Sequence, residues 1–205
     1  MFGQADSESS FWKAFMKRVL AWVMWVLLGL SSGPGFGVSF ESKDFDQLVA
    51  ESEQIFVGTA SGATARRHPG GAIVTDVSFS GVQVFKGNAG NAETSLMIAG
   101  GTLGADTFAL PGMPRFQIGV TYLVFAQGNG TTIFPVVGGD QGMFQVRTDA
   151  VTGENLVFDS RGLPIRNATV RQAMAADFAV PQDPTPVPIA LEVFLRGIRS
   201  RLGSR

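Results

Sequence analysis

The stretch Ala72–Phe85 restricts this chain more than any other. Ile73, Thr75, Val77 and Phe79 fall on one side of an extended backbone, with Asp76 and Ser78 on the other. A period of two is that of a strand with one buried face. After Ser80-Gly81 the apolar positions become Val82 and Val84, so the parity inverts. One extra residue at a glycine is the mark of a β-bulge, which bends a strand and lets a sheet coil into a barrel.

The neighbouring segments read the same way. Ile55–Ala60 begins a strand, Arg66–Gly71 is a loop, and Thr94–Ile98 is a further strand. Gly100–Gly104 is a glycine-rich connection, and Phe108–Pro114, with two prolines, reads as loop. Val120–Phe125 reads as a buried strand. Gly128-Asn129-Gly130 predicts a type I′ hairpin, from which Thr132–Val137 pairs back as a strand. Met143–Val146 and Asn155–Phe158 flank Thr152-Gly153-Glu154, a second hairpin. Asp44–Glu53 precedes the strands as a short helix, capped by Asp44, with Phe45, Leu48 and Val49 on one face. The expected fold is mainly β, a small antiparallel OB-like barrel of six or seven strands. A short N-terminal helix and a C-terminal helix complete it. The glycine content, 26 residues of 205, suits short strands joined by tight turns.

The ends of the chain carry different signals. Lys17-Arg18, the 12-residue apolar run Val19–Leu30, and then Ser31, Ser32, Gly33, Gly35 and Gly37 follow the order of a secretory signal. The run falls short of the roughly 18 residues that span a bilayer. Residues 1–37 are therefore read as a signal peptide, cleaved near Gly35 or Gly37. Asp6 and Glu8 are foreign to the start of such a signal, and translation from Met16 gives a conventional one. Residues 38–160 are read as the barrel domain, 161–188 as an irregular and proline-rich linker, and 189–205 as an amphipathic helix. In that helix Leu191, Leu195, Ile198 and Leu202 form a stripe, and Glu192 can pair with Arg196. Its basic end, Arg196 to Arg205, suits either an anionic membrane or docking on the barrel.

These segments place the protein outside the cytoplasm, in the periplasm or the extracellular space, with no stable membrane insertion after cleavage. The chain has no cysteine, which excludes disulfides and a cysteine-linked lipid anchor. Without Lys13, Lys17 and Arg18 the 16 basic residues become 13; without Asp6 and Glu8 the 17 acidic residues become 15. A balance so close to neutral argues against nucleic acid as partner.

No convergent catalytic set is legible. His68 is the only histidine, set between Arg67 and a Pro-Gly-Gly turn, and no Gly-x-Ser-x-Gly elbow accompanies it. It reads as an exposed loop residue. One histidine without cysteine makes a zinc site poor in ligands. Asp76, Glu93, Asp106, Asp140 and Asp149 lie near strands or turns. A pair of them would suit glycoside hydrolysis or calcium, but no spacing sets two at a defined separation. Gly100–Gly104 and Gly138–Gly142 lack the Gly-Lys-Ser/Thr of a phosphate loop and read as backbone turns. Pro114-x-Phe116-x-x-Gly119 reads as a corner with Phe116 plugging the barrel. Asn129-Gly-Thr131 and Asn167-Ala-Thr169 match the glycosylation sequon, and the first is explained by its hairpin. No residue is assigned as catalytic, cofactor-binding or metal-ligating, and no cofactor is expected.

In order, Phe56-Val57-Gly58-Thr59, Ile73–Val77, Phe85-Lys86-Gly87, Gly100–Gly104, Pro114–Gly119, Tyr122–Phe125 and Val136–Phe144 form a pattern covering about half the chain. It resembles a family of exported bacterial proteins with a small β-barrel domain and no established activity. The barrel is also similar, at the level of fold, to the netrin-like, OB-type domain of tissue metalloproteinase inhibitors. Those act through an N-terminal cysteine, which this chain lacks. The resemblance therefore implies architecture and compartment only. The expected function is a non-enzymatic exported binding or accessory module with a protein or glycan partner. The alternatives are a carboxylate-based hydrolase of envelope glycans and a self-assembling surface component.

Overall fold

The computed structural model describes residues 40–88, 93–165, 170 and 188–203, all within one unit, Val38–Arg205. Residues 1–37, expected to be a signal peptide, the sequon at Asn167 and most of the segment expected to be a proline-rich linker lie outside the described residues.

Helix α1 spans Phe45–Glu51. The Asp44 carboxylate accepts from Gln47 N (2.7 Å) while the Gln47 side chain accepts from Asp44 N (2.9 Å), a reciprocal capping box. At the other end the Lys86 ammonium donates to the carbonyls of Val49 and Ala50, where a cation suits the helix dipole. Strands β1 (Gln54–Arg67), β2 (Ile73–Lys86), β3 (Glu93–Ala99), β6 (Thr121–Ala126), β7 (Met143–Thr148), β8 (Asn155–Phe158) and β9 (Ile189–Ala190) form one antiparallel sheet. Their order is β3-β2-β1-β6-β7-β8-β9. Strands β4 (Gly101–Leu103) and β5 (Asp106–Phe108) pair separately, and helix α2 covers Leu191–Gly203.

The seven-stranded sheet is open, with β3 and β9 at its ends. The inversion at Gly81 is a true bulge. Thr59 faces Ser80, yet Val57 faces Gln83, so β2 carries one residue more than β1. Gly81 has φ +61°, which suits a residue without Cβ. Strand β1 also runs further than its sequence implies. Ser61–Arg67 has no apolar alternation, but pairs with Ile73–Ser78 and so stays extended.

Strand β6 is buried, as its sequence predicts, and on both faces. Tyr122 and Val124 join Phe56, Phe79 and Leu96 in one core. Leu123 and Phe125 join Phe45, Phe144 and Phe194 in another, which both helices cover. In that second core Phe45 meets Phe125 and Phe194 edge-on, with centroids 6.3 and 5.3 Å apart. Helix α2 is thus a docked element. Leu191, Phe194, Leu195 and Ile198 are buried and Leu202 is partly so. Arg201 pairs with Asp46 and lies over the Phe45 ring. Glu192 comes within 3.9 Å of Arg199, one turn beyond the residue expected from helical spacing. Among the described residues no helix is long and apolar enough to cross a membrane.

One predicted strand is absent. Residues 132–137 make only isolated bridges, Asn129 to Thr132 and Val136 to Ala126. Pro135 has no N–H to offer a ladder. The turn before it is not type I′ either: Gly128 and Gly130 have positive φ, but among the described residues none other than glycine does, so Asn129 does not. Instead the Gly128 carbonyl accepts from both Thr131 N and Thr132 N. The segment then runs beside β3, where Ala99 N donates to Ile133 O (2.8 Å) and the Asn129 amide to Ser95 O (2.6 Å). The second hairpin forms as expected: Asp149 N donates to Glu154 O, with Gly153 at φ +72°.

Candidate binding cleft

Beyond Ala99 the chain leaves the sheet and crosses its inner face. Gly100 and Gly101 make this exit at φ +108° and +136°, values open to glycine. Gly100 N donates to Ile73 O (2.9 Å), and the Thr75 hydroxyl donates to Gly100 O (2.7 Å). A Cβ on Gly101 would overlap the Thr75 hydroxyl, so the two segments touch only because that position is bare. The glycine-rich connection is in fact half of the β4–β5 hairpin, joined across by the Thr102 and Thr107 hydroxyls (3.0 Å). Three-residue strands are too short to show alternation, which hides them in the sequence. Arg67 at the end of β1 pairs with Asp106 on β5 and ties the hairpin down.

The chain returns to the sheet through residues 109–120. Asp140 N donates to Gly112 O, and Met113 is buried. Phe116 sits edge-on to Phe79 (5.1 Å) and Tyr122 (5.0 Å), the inward position expected of it. The Tyr122 hydroxyl accepts from Gln117 N (2.8 Å). Burial pushes the Tyr122 phenol pKa up, the Gln117 amide partly opposing the shift.

Between this excursion and the inner face of β1–β3 lies a cleft of about 310 Å³. Its apolar wall includes Ala63, Val77, Ile98, Leu110, Met113 and Phe116. Arg115 is its one ionisable lining residue. Arg115 is exposed, and no ion pair or hydrogen bond holds it among the described residues. It was invisible in the sequence because a single arginine in a loop has no pattern, and only the folded excursion sets it beside an apolar wall.

The acids singled out in the sequence are dispersed. Asp76 takes a two-pronged contact from Arg66, at 2.5 and 3.1 Å, which pushes the guanidinium pKa up. Asp106 is held by Arg67, and Glu93 is exposed at the start of β3. Asp149 organises its own turn: Thr152 N, Val151 N and the Thr152 hydroxyl all donate to it. Those bonds, led by Thr152 N, hold its pKa below the usual aspartate range. Asp140 lines a second cleft of about 270 Å³ together with Asp159 and Arg161. Asp159, unnoticed in the sequence, accepts from Arg161 N and Leu163 N and pairs with the Arg161 guanidinium, so it too shapes a turn. His68 Nδ1 accepts from Gly70 N (3.2 Å) at the tip of the β1–β2 hairpin. Among the described residues no three His, Asp or Glu side chains come together as metal ligands. The glycines of the Gly138–Gly142 stretch serve a close approach. Gly139, at φ +67°, passes so near Phe40 and Gly112 O that a Cβ would stand 2.7 and 2.5 Å from them.

No family model matches this chain, and neither a curated protein nor a solved structure matches it.

Proposed function

We propose that this protein is an exported, non-enzymatic binding or accessory module, and that the cleft under the 100–119 excursion is where it engages its ligand. The observation that carries the reading is a recess of ligand size with an apolar wall on one side, whose lining holds a cation without an ion pair or hydrogen bond among the described residues. Of the acids a glycan hydrolase would draw on, Asp76 and Asp106 are engaged by arginines and Asp149 by its turn, while Asp140 shares the second cleft with Asp159, which is engaged by Arg161 and its own turn. We read the curled half of the sheet, β1–β3 with β6, as an OB-like barrel completed by the 127–137 segment. The bonds from Ala99 to Ile133 and from Asn129 to Ser95 support this. Export rests on the order of charge, apolar run and small residues in 16–37.

The test is ligand-observed NMR with a library of small apolar fragments, on the wild type and on Ala63→Trp, which fills the mouth of the cleft. Fragments that bind the wild type and not the variant support the module. No binding, or equal binding to both, overturns it. Export is tested by fusing residues 1–37 to alkaline phosphatase, which is active only outside the cytoplasm; an inactive fusion of full length removes that part of the proposal.

A further inference from the structure

The lining of the cleft narrows what it can accept. Its only charge is the Arg115 guanidinium, and no carboxylate faces it from any side. A cationic ligand would meet that guanidinium with nothing to offset it, whereas a carboxylate can take two of its N–H donors side by side. The hydroxyls of the lining are already engaged. Thr75 donates to Gly100 O, and Thr102 and Thr107 bond to each other. A sugar, whose many hydroxyls each need a partner when buried, would find few there. The side chains of Ala63, Val77, Ile98, Met113 and Phe116 offer apolar contact along one wall. The volume of about 310 Å³ is at the lower end of ligand pockets and suits a single short chain.

We infer that the cleft takes a small monocarboxylate with an apolar tail, its head against Arg115 and its tail along Val77, Ile98 and Met113 toward Phe116. The inference rests on the binding-module reading. It adds that specificity comes from one charge at the rim, and that the interior selects by shape alone.

The experiment compares octanoate, octanol and octylamine by titration calorimetry against the full chain, at low and moderate salt. Octanoate is expected to bind about fivefold tighter than octanol, the size of a single exposed charge contact, and octylamine weakest. The advantage should shrink with salt, because the guanidinium is exposed. In Arg115→Gln, octanoate should fall to the level of octanol, while octanol is unchanged. Ala63→Trp, confirmed folded by circular dichroism, should lose both. Equal binding of octanoate and octanol to the wild type, with Ala63→Trp losing both, overturns the carboxylate assignment and leaves the cleft standing. Binding unchanged in folded Ala63→Trp, or no binding by any of the three, overturns both.

Discussion

The two faces of β6 are buried by different means. Toward Leu123 and Phe125 the cover is helical: α1 and α2 bring Phe45, Phe194 and Ile198 onto the sheet. Four side chains of α2 are buried there, and aromatic edges meet at 5–6 Å. Toward Tyr122 and Val124 the cover is the 100–119 excursion, an irregular chain seated by Met113 and Phe116. A helix presents a dense stripe of side chains, whereas a loop must also satisfy its backbone and so covers less evenly. The loop side keeps the recess of about 310 Å³ that holds the candidate site, whereas the cleft of about 270 Å³ beside Phe144 and Ile165 borders the helix-covered core.

The sharpest test of that contrast is deletion of one ring from each cover. Phe194→Ala should cost about 3–5 kcal/mol in urea unfolding, as for a fully buried aromatic. Phe116→Ala, from a half-buried position, should cost clearly less and should weaken cleft ligands. Equal losses would mean that both cores are packed alike. Next comes Gly101→Ala, which forces a side chain into a positive-φ position against Thr75. We expect about 1–3 kcal/mol and impaired ligand binding. Gly153→Ala, also at positive φ but with open space around it, should cost only about 1 kcal/mol and leave binding intact. Asp44→Ala removes the cap of α1 and should cost about 1 kcal/mol, loosening the helical cover alone.

The smallest expected effect concerns pH. The folded Asp149 carboxyl titrates below its unfolded value, so its contribution is present above the ordinary aspartate pKa of about 3.9. It is lost as the pH falls through the depressed value. Urea midpoints of wild type and Asp149→Asn, followed from neutral pH into the acid limb, should converge as the pH drops. Parallel curves would remove Asp149 from the account.

What the sequence reveals follows the same division. The bulge at Gly81, the buried β6, the cap at Asp44 and the stripe of α2 are periodic or local signals, and each is found in the structure. The loop side is the part that escapes. Ser61–Arg67 is extended because β2 holds it, β4 and β5 are too short to alternate, and residues 132–137 look like a strand until Pro135 is weighed. Phe194 belongs to the packed face of α2 although the i, i+4 stripe passes it by. The cleft draws on residues far apart in the chain, from Ala63 to Phe116, so no window contains it. Arg115 carries meaning only once the excursion is folded.

Because β6 serves as a wall for both cores, neither can open without exposing the other. Its amides, among them Leu123 and Val124, should exchange with solvent only when the whole domain unfolds. A proteolytic cut that removed α2 would then not leave a trimmed but working cleft; it would destabilise the strand that the cleft depends on. Without disulfides to hold a damaged chain together, such a protein would disappear whole and not accumulate as fragments.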